Sequence, residues 1–450
     1  MFIGYSTTLL HNVLRSKEDK KTDWSKNAYQ DRRRPSYLLG RPDAFSILMY
    51  FKSQYPHVKI VVGGQNAQAT ADSPELKRFI DYVVTGQGEV SAVRIAKRIA
   101  AERSGLNMID LMPHTGPVLY DIKNNPVDHF NKPETRIRYH ETDCIFPSEA
   151  LPMEIARGCI FKCAFCAFDL NGKKLNEFNR DPQALYDDIM DAYTKYGTTS
   201  FMFADDTYND SVEKIQLLHD LFATLPFKIT WSSYIRIDLV VSNMKTAKLL
   251  YDSGLRGAMV GIESFHKKAG KTIGKGMDPQ RLKDGLVELR KVPGWDEIII
   301  ATGMIIGLPY ETKESLMESF EYLKSPDCPI DGYGALPLIL SPGTKITNDL
   351  QKYGYKINES NGQWESEWMT EEEAINISIQ WNSARARSNS AKETSLAIQQ
   401  PITYFPRYEN LGYSLSQMKN GQISFAEADE RKHVKIMQYY ERLNSLETVQ

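Results

Sequence analysis

Three cysteines lie within one short segment, ARGCIFKCAFC. The thiolates of Cys159, Cys163 and Cys166 could each bind one iron of a cubane cluster, which leaves the fourth iron without a protein ligand. An iron with an open position can bind a substrate or a cofactor, whereas four cysteines suit electron transfer or structure. Zinc completed by a distant histidine, or three thiols without a metal, are the alternatives. Because zinc loops more often use two separated C-x2-C pairs, the C-x3-C-x2-C spacing favours a cluster.

The elements that must position these cysteines follow a regular pattern from residue 151 to residue 346. The strand PMEIA leads into the cysteine segment, and Asp-Pro pairs at 181–182 and 278–279 predict the starts of two helices. About six strand-helix units with short connections favour a partial (β/α)6 TIM-type barrel of parallel strands. We therefore expect the chemistry at the carboxyl ends of these strands.

The segments on either side of this barrel have different patterns. Residues 1–106 alternate short strands with helices, which predicts a Rossmann-like domain with a parallel sheet. Residues 107–150 are irregular and rich in proline, and they predict a linker. Residues 347–450 predict a helical C-terminal region, in which Thr370 and Glu373 form a capping box. Its many aromatic side chains are expected to pack rather than to form a binding cage.

The overall composition excludes several classes of protein. The chain has 450 residues and a formal net charge of -2, so no global field draws it to nucleic acid or to an anionic membrane. No window approaches the roughly eighteen apolar residues of a membrane span, and the N-terminus lacks the features of a signal peptide. The cysteine count of 5 is odd, which suits a metal site in a reducing compartment better than disulfides. We expect a cytoplasmic protein without a membrane partner.

Further strings follow the cysteines in order: FADDTYND, YIRID, VGIES, GMIIGLPYET and LSPGT. With C-x3-C-x-aromatic-C after a first strand, they resemble the radical S-adenosylmethionine (radical SAM) superfamily over residues 153–344. The resemblance is to the branch with a cobalamin-binding-type domain before the barrel. It implies a 4Fe-4S cluster and SAM as cofactors, and a reductant such as flavodoxin or ferredoxin as a partner. It also implies cleavage of SAM to a 5'-deoxyadenosyl radical.

The resemblance also implies roles for individual residues around SAM. Phe165 would lie beside the adenine, and Asp205 and Asp206 would accept hydrogen bonds from the methionine amine. Arg236, assisted by Ser233, would bind the methionine carboxylate through its guanidinium fork. The alternative is that Asp206 or Asp210 caps the following helix.

Three further positions complete this implied cofactor site. Glu263 would accept hydrogen bonds from the ribose hydroxyls, while Gly303 and Gly307 would let the backbone approach the adenine closely. The alternative for Arg236 and Glu263 is a salt bridge inside the barrel mouth.

The N-terminal segment departs from the pattern of that branch. GGQNAQA and TGQGEVSAV resemble the later part of a cobalamin-binding-type domain, but the Asp-x-His-x-x-Gly loop that supplies the cobalt ligand is missing. His11 is the only nearby histidine, and we expect it to lie on the surface. We therefore expect a truncated domain that serves as a platform, or a shortened form of a longer protein. Cobalamin stays an open alternative that the sequence disfavours.

The substrate is not indicated by any of these motifs. The first hypothesis is a radical SAM enzyme that abstracts a hydrogen atom from a peptide, a nucleotide or a small metabolite. Cys328 could then return a hydrogen atom to a substrate radical, although a buried inert thiol is the commoner role. The second hypothesis is a cobalamin-dependent methyltransferase of the same superfamily. The third is a non-catalytic, metal-stabilised binding protein.

Overall fold

The structure is a computed structural model of the 450-residue chain. It describes residues 52, 55–63, 79–84, 88–103, 118–120, 138–139, 150–168, 170–341 and 343–387. The chain divides into two compact units, Met1–Asn125 and Pro126–Gln450. This boundary falls inside the 107–150 segment that the sequence predicts as a linker. Cys144, His11 and the tail beyond residue 387 lie outside the described residues.

The first unit contains a parallel sheet of short strands. Its described elements are β1 (Val61–Gly63), β2 (Tyr82–Val84), α1 (Glu89–Arg103) and β3 (Val118–Tyr120). The strands pair in the order β1-β2-β3, and both pairs are parallel. Ile95 of α1 packs on Tyr82 and Val84 of β2. The parallel pairing agrees with the Rossmann-like prediction, while β3 lies within the segment predicted as irregular.

The second unit is built on a sheet of six parallel strands. These strands are β4 (Leu151–Glu154), β5 (Ser200–Ala204), β6 (Thr230–Ile235), β7 (Leu255–Glu263), β8 (Ile299–Ile306) and β9 (Gly332–Pro337). They pair in sequence order, and all five pairs are parallel. This order confirms the predicted partial TIM-type barrel.

Helices connect these strands. They are α2 (Pro182–Tyr196), α3 (Val212–Ala223), α4 (Ile237–Ser242), α5 (Lys245–Asp252), α6 (Lys267–Ile273), α7 (Pro279–Leu289) and α8 (Lys313–Lys324). Asp181 accepts from the backbone N–H of Ala184 at the start of α2, and Asp278 caps α7 in the same way. Each Asp-Pro pair therefore begins a helix because the carboxylate accepts N–H groups that the helix leaves free.

The hydrophobic core lies between the sheet and these helices. Alternate strand residues point outward, and they include the fully buried Phe203 and Trp231. The Trp231 ring stacks on Tyr208 at 4.2 Å between centroids, and its Nε1 donates to the carbonyl of Ser253 at the end of α5. The intervening residues point to the concave face, where Tyr234 is 46% exposed. The core therefore holds the outer layer together and leaves the concave face open for ligands.

The segment after β9 contains more than helices. It comprises α9 (Lys345–Asn348), a 3-10 turn (Gln351–Tyr353), β10 (Tyr355–Ile357), β11 (Trp364–Ser366) and α10 (Glu371–Arg387). β10 and β11 form an antiparallel ribbon that the sequence did not predict. The capping box is confirmed, since Glu373 accepts from Thr370 N–H and donates its own N–H to the Thr370 hydroxyl.

Helix α10 covers the last strand of the barrel sheet. The Asn382 side chain accepts from the backbone N–H of Ala335 at 3.1 Å and donates to its carbonyl at 2.8 Å. Trp381 stacks on Phe320 at 5.0 Å, so this tail aromatic packs as expected. The amide satisfies backbone groups that an edge strand leaves free. Among the described residues, no helix is long and apolar enough to cross a membrane.

Candidate active site

The cysteine loop begins where β4 ends, at the carboxyl edge of the sheet. Cys159, Cys163 and Cys166 are free thiols and half-buried. Backbone bonds fasten the middle of the loop, because Ala164 N–H donates to Ile273 at 2.9 Å and its carbonyl accepts from Ile346 at 3.1 Å. The loop is thus tied to α6 and α9, which come from much later in the chain.

The start of the loop is held from another side. The carbonyl of Cys159 accepts from the backbone N–H groups of Gly172 and Lys173, at 2.6 and 3.2 Å. Its Sγ lies 3.0 Å from the hydroxyl of Thr207 and accepts from Phe161 N–H at 3.4 Å. Cys159 is therefore fixed through both its backbone and its sulfur.

Two basic side chains face Cys163. Arg236, directly after β6, brings Nη1 to 4.0 Å from the Cys163 Sγ. Its guanidinium lies 3.9 Å from the centre of the Phe161 ring, and its Nε donates to Asp238 at 2.9 Å. Burial raises the pKa of the Cys163 thiol, while Lys275 and Arg236 act to lower it. These two cations favour the thiolate form that binds metals.

Glu263 lies at the end of β7 in a strained backbone conformation. Its φ is +66°, which is uncommon for a residue with a side chain. Its Oε1 is 3.5 Å from Lys275 Nζ, which also donates to the carbonyl of Gly261 at 2.8 Å. Burial raises the pKa of Glu263, and the positive charges of Lys275 and Arg236 oppose this. Glu263 thus forms a salt bridge at the barrel mouth, as the alternative predicted, but its partner is Lys275, whereas Arg236 pairs with Asp238.

Asp205 and Asp206 lie in different environments after β5. Asp205 is buried and bonded to the ammonium of Lys214 at 2.6 Å, and neither side chain reaches solvent. Asp206 is only partly buried, and its carbonyl accepts from the Thr207 hydroxyl at 2.6 Å. Asp205 is therefore engaged inside the protein, which makes Asp206 the better candidate for a cofactor amine.

Ser233 points away from the concave face. It is fully buried, and its hydroxyl donates to the carbonyl of Phe203 at 2.9 Å. Phe165 is half-buried and packs against the main core beside the cysteine loop. Phe165 therefore lies close to the loop, whereas the Ser233 hydroxyl bonds to the backbone of the neighbouring strand.

Gly303 lies in β8 and Gly307 directly after it, and the two glycines have different neighbours. Gly303 pairs with Gly261 on one side and with Gly334 on the other, so a row of glycines crosses three strands. A Cβ on Gly303 would lie 3.8 Å from the Glu263 carboxylate, so this row borders the site. Gly307 has φ +95°, and a Cβ there would approach Trp364 to 2.5 Å. Gly307 is therefore required for packing against Trp364.

Cys328 is not brought to this site. It is 4% exposed and precedes β9, at the amino end of the strands, whereas the cysteine loop follows β4 at the carboxyl end. It belongs to the main hydrophobic core. This location suits a buried inert thiol, the alternative to a hydrogen donor that was considered for Cys328.

Sequence patterns did not identify several residues of the site. Lys275 comes from the loop after α6, and Lys214 and Lys173 are buried behind Cys159 with side chains 2% and 0% exposed. Thr207 stands inside the FADDTYND string but carries no spacing signal of its own. The sequence does not show whether a lysine is buried or exposed to solvent. No sequence pattern could therefore have identified these lysines as part of the site.

The donor set fits an iron–sulfur cluster. Among the described residues, no three Cys, His, Asp or Glu side chains converge on a single metal ion. A cubane does not need such convergence, because each cysteine binds a different iron. Three free thiols in one fastened loop, with cations beside Cys163, suit a negatively charged group of this kind.

Comparisons with known proteins find similarity over the part of the chain that contains this site. Residues 153–323 match the model of the Radical SAM superfamily. The ribosomal protein uS12 methylthiotransferase RimO of Campylobacter fetus is 28% identical over 187 residues, which cover 38% of this chain and 39% of that protein. The bacteriochlorophyllide d C-8(2)-methyltransferase of Chlorobaculum tepidum is 28% identical over 137 residues, or 29% of each chain. The chain thus matches less than two fifths of the length of either relative.

The fold is similar to that of a solved enzyme. The radical SAM methyltransferase TsrM from Kitasatospora setae, in a structure with cobalamin and a [4Fe-4S] cluster bound, has a TM-score of 0.58. The similarity covers 95% of each chain at 14% sequence identity, so it establishes the fold alone. The family model therefore assigns residues 153–323 to a domain of the radical SAM superfamily. A domain of this superfamily implies a 4Fe-4S cluster and SAM as cofactors.

Proposed function

We propose that Cys159, Cys163 and Cys166 hold the 4Fe-4S cluster and that the enzyme uses it to start hydrogen abstraction from an organic substrate. The observation that carries this proposal is the set of three free thiols in a loop fastened at the carboxyl edge of a parallel sheet. When bound, the cluster supplies one electron that cleaves SAM to methionine and a 5'-deoxyadenosyl radical. A reductant such as flavodoxin or ferredoxin provides that electron.

The protein's own residues offset part of the charge at the cluster site. Three thiolates bring three negative charges into a half-buried loop, and Arg236 and Lys275 offset part of this charge. Asp238 holds the Arg236 guanidinium in its orientation toward Cys163.

Because free thiols persist in reducing compartments, we place the enzyme in the cytoplasm.

SAM would lie along the concave face beside this loop. Asp206 accepts hydrogen bonds from the methionine amine, and Glu263 accepts from the ribose hydroxyls. The carboxylate of methionine is bound by the N–H groups of Arg236 that Asp238 leaves free. Gly303 allows close approach of the adenine, which also contacts Phe165. Glu263 is supported in this role by its position at a strand end in the barrel mouth.

The test is anaerobic reconstitution of the purified chain with iron and sulfide. We expect a 4Fe-4S complement of iron and sulfide, the spectrum of a reduced cluster after dithionite, and 5'-deoxyadenosine when SAM is added. Cys163→Ala should abolish all three, whereas the matched variant Cys328→Ala should retain them. A wild-type protein that holds metal but forms no 5'-deoxyadenosine would instead support a non-catalytic, metal-stabilised binding protein.

A cobalamin-dependent methyltransferase is the second candidate. The fold similarity to TsrM, which extends over 95% of this chain and so includes the first unit, favours it. The test is anaerobic binding of hydroxocobalamin, followed by transfer of a labelled methyl group from SAM. No binding of hydroxocobalamin to wild-type protein under these conditions would exclude this candidate.

A further inference from the structure

Among the hydrogen bonds of the described residues, the hydroxyl of Thr207 makes the shortest side-chain contact with a cysteine of the loop. Its Oγ1 lies 3.0 Å from Cys159 Sγ, and the residue is only 2% exposed. Cys163 has Arg236 at 4.0 Å as its donor, so Cys159 is approached more closely. A neutral hydroxyl therefore reaches one sulfur and the guanidinium reaches the other.

Thr207 is held in place by a buried ion pair. Its backbone N–H donates to Asp205 at 2.9 Å, and its carbonyl accepts from Lys214 at 3.2 Å. Lys214 also binds the other oxygen of Asp205 at 2.6 Å, so the pair clamps Thr207 on both sides. Buried ion pairs of this kind often add little net stability, because the cost of desolvation offsets their attraction. Asp205, for which the resemblance implied a contact with SAM, thus bonds to Thr207 and Lys214.

The hydrogen atom of the hydroxyl has two possible acceptors. Thr207 Oγ1 is 2.6 Å from the carbonyl of Asp206 and 3.0 Å from the sulfur of Cys159. While Cys159 is a thiol, its own proton can point at Oγ1 and the hydroxyl can donate to Asp206. As a cluster ligand, Cys159 has no proton and carries negative charge, which makes it the stronger acceptor.

We infer that Thr207 is a positioning residue that raises the reduction potential of the cluster by donating a hydrogen bond to Cys159. Hydrogen bonds to the sulfurs are one of the factors that set cluster potentials. The reduced cluster carries one more electron, so a donor stabilises it more than the oxidised cluster. The inference rests on the proposed function, since it needs a cluster on Cys159.

The experiment is a redox titration of the reconstituted enzyme without SAM, followed by electron paramagnetic resonance. Thr207→Val removes the hydroxyl at nearly constant shape, and we expect reduction to become several-fold to tenfold less favourable. A tenfold change corresponds to about 59 mV for one electron. Thr207→Ser keeps the hydroxyl, so its reduction potential should stay close to that of the wild-type enzyme. Thr207→Ala, without the extra methyl of valine, should shift it in the same direction as Val.

The outcomes separate the two proposals. If wild-type protein forms no cluster, the proposed function fails. If the Val and Ala variants hold a full cluster at the wild-type potential, the hydroxyl donates to Asp206 instead and this inference is overturned. A cluster that forms with Ser but with neither Val nor Ala also overturns the inference, because the hydroxyl is then required to assemble the cluster and not to set its potential.

Discussion

Replacing Gly307 with alanine tests whether this glycine serves packing or cofactor binding. Gly307 has φ +95° between β8 and α8, and an added Cβ would lie 2.5 Å from Trp364 and 3.3 Å from the Ala374 Cβ. Trp364 is 2% exposed, and its Nε1 donates to the carbonyl of Leu338 at 3.0 Å. The indole therefore cannot move aside without losing contacts on its other edge.

The magnitude follows from two separate contributions. A side chain in the left-handed region costs about 1 kcal/mol or somewhat more. Overpacking against a buried ring adds about 1–3 kcal/mol. Gly343 is the matched control, since its φ is +84° and a Cβ there meets nothing within 4 Å. We therefore expect Gly307→Ala to lower the free energy of unfolding by about 2–4 kcal/mol, and Gly343→Ala by about 1 kcal/mol.

The assay is equilibrium unfolding of the cluster-free protein in urea, followed by circular dichroism. Equal losses of stability in the two variants would refute the steric argument. If Gly307→Ala keeps its stability but binds SAM more weakly in the reconstituted enzyme, Gly307 serves the adenine as the sequence predicted.

Two further predictions concern a buried acid and a buried thiol. Burial raises the pKa of Glu311 from 4.5 to about 8, so its protonated form stabilises the fold fully below pH 4.5, and this contribution is lost as the pH rises toward 8. The free energy of unfolding of Glu311→Gln should fall less than that of wild type over this range in urea titrations, and parallel profiles would contradict the assignment. Cys328→Ala should leave the yield of 5'-deoxyadenosine unchanged, since Cys328 lies at the amino end of the strands, and it should lower stability by about 1 kcal/mol through a small cavity. A large loss of 5'-deoxyadenosine at full cluster content would return Cys328 to the site.

The order of elements in the barrel could be predicted from the sequence because its signals are local. A helix start depends on a side chain and an N–H two or three residues later, so Asp181 and Thr370 were correctly identified as caps. Long apolar runs such as β8 also identify buried strands directly. β3 was missed because it stands in a proline-rich segment, and β10 and β11 were missed because YKI and WES each place a charged residue within only three positions.

For the candidate site, too, the sequence determined the local features and the fold determined the contacts between distant segments. The spacing of Cys159, Cys163 and Cys166 is contained in one loop, so the sequence alone determines that three thiols lie close together in the chain after β4. The partners of the charged residues depend on contacts between distant segments, and only the fold decided that Asp205 is bound by Lys214 and Glu263 by Lys275. The residue type alone does not show whether a carboxylate is paired inside the protein or available to a ligand. Its role is set by burial and by the nearest opposite charge, which arise only when the chain is folded.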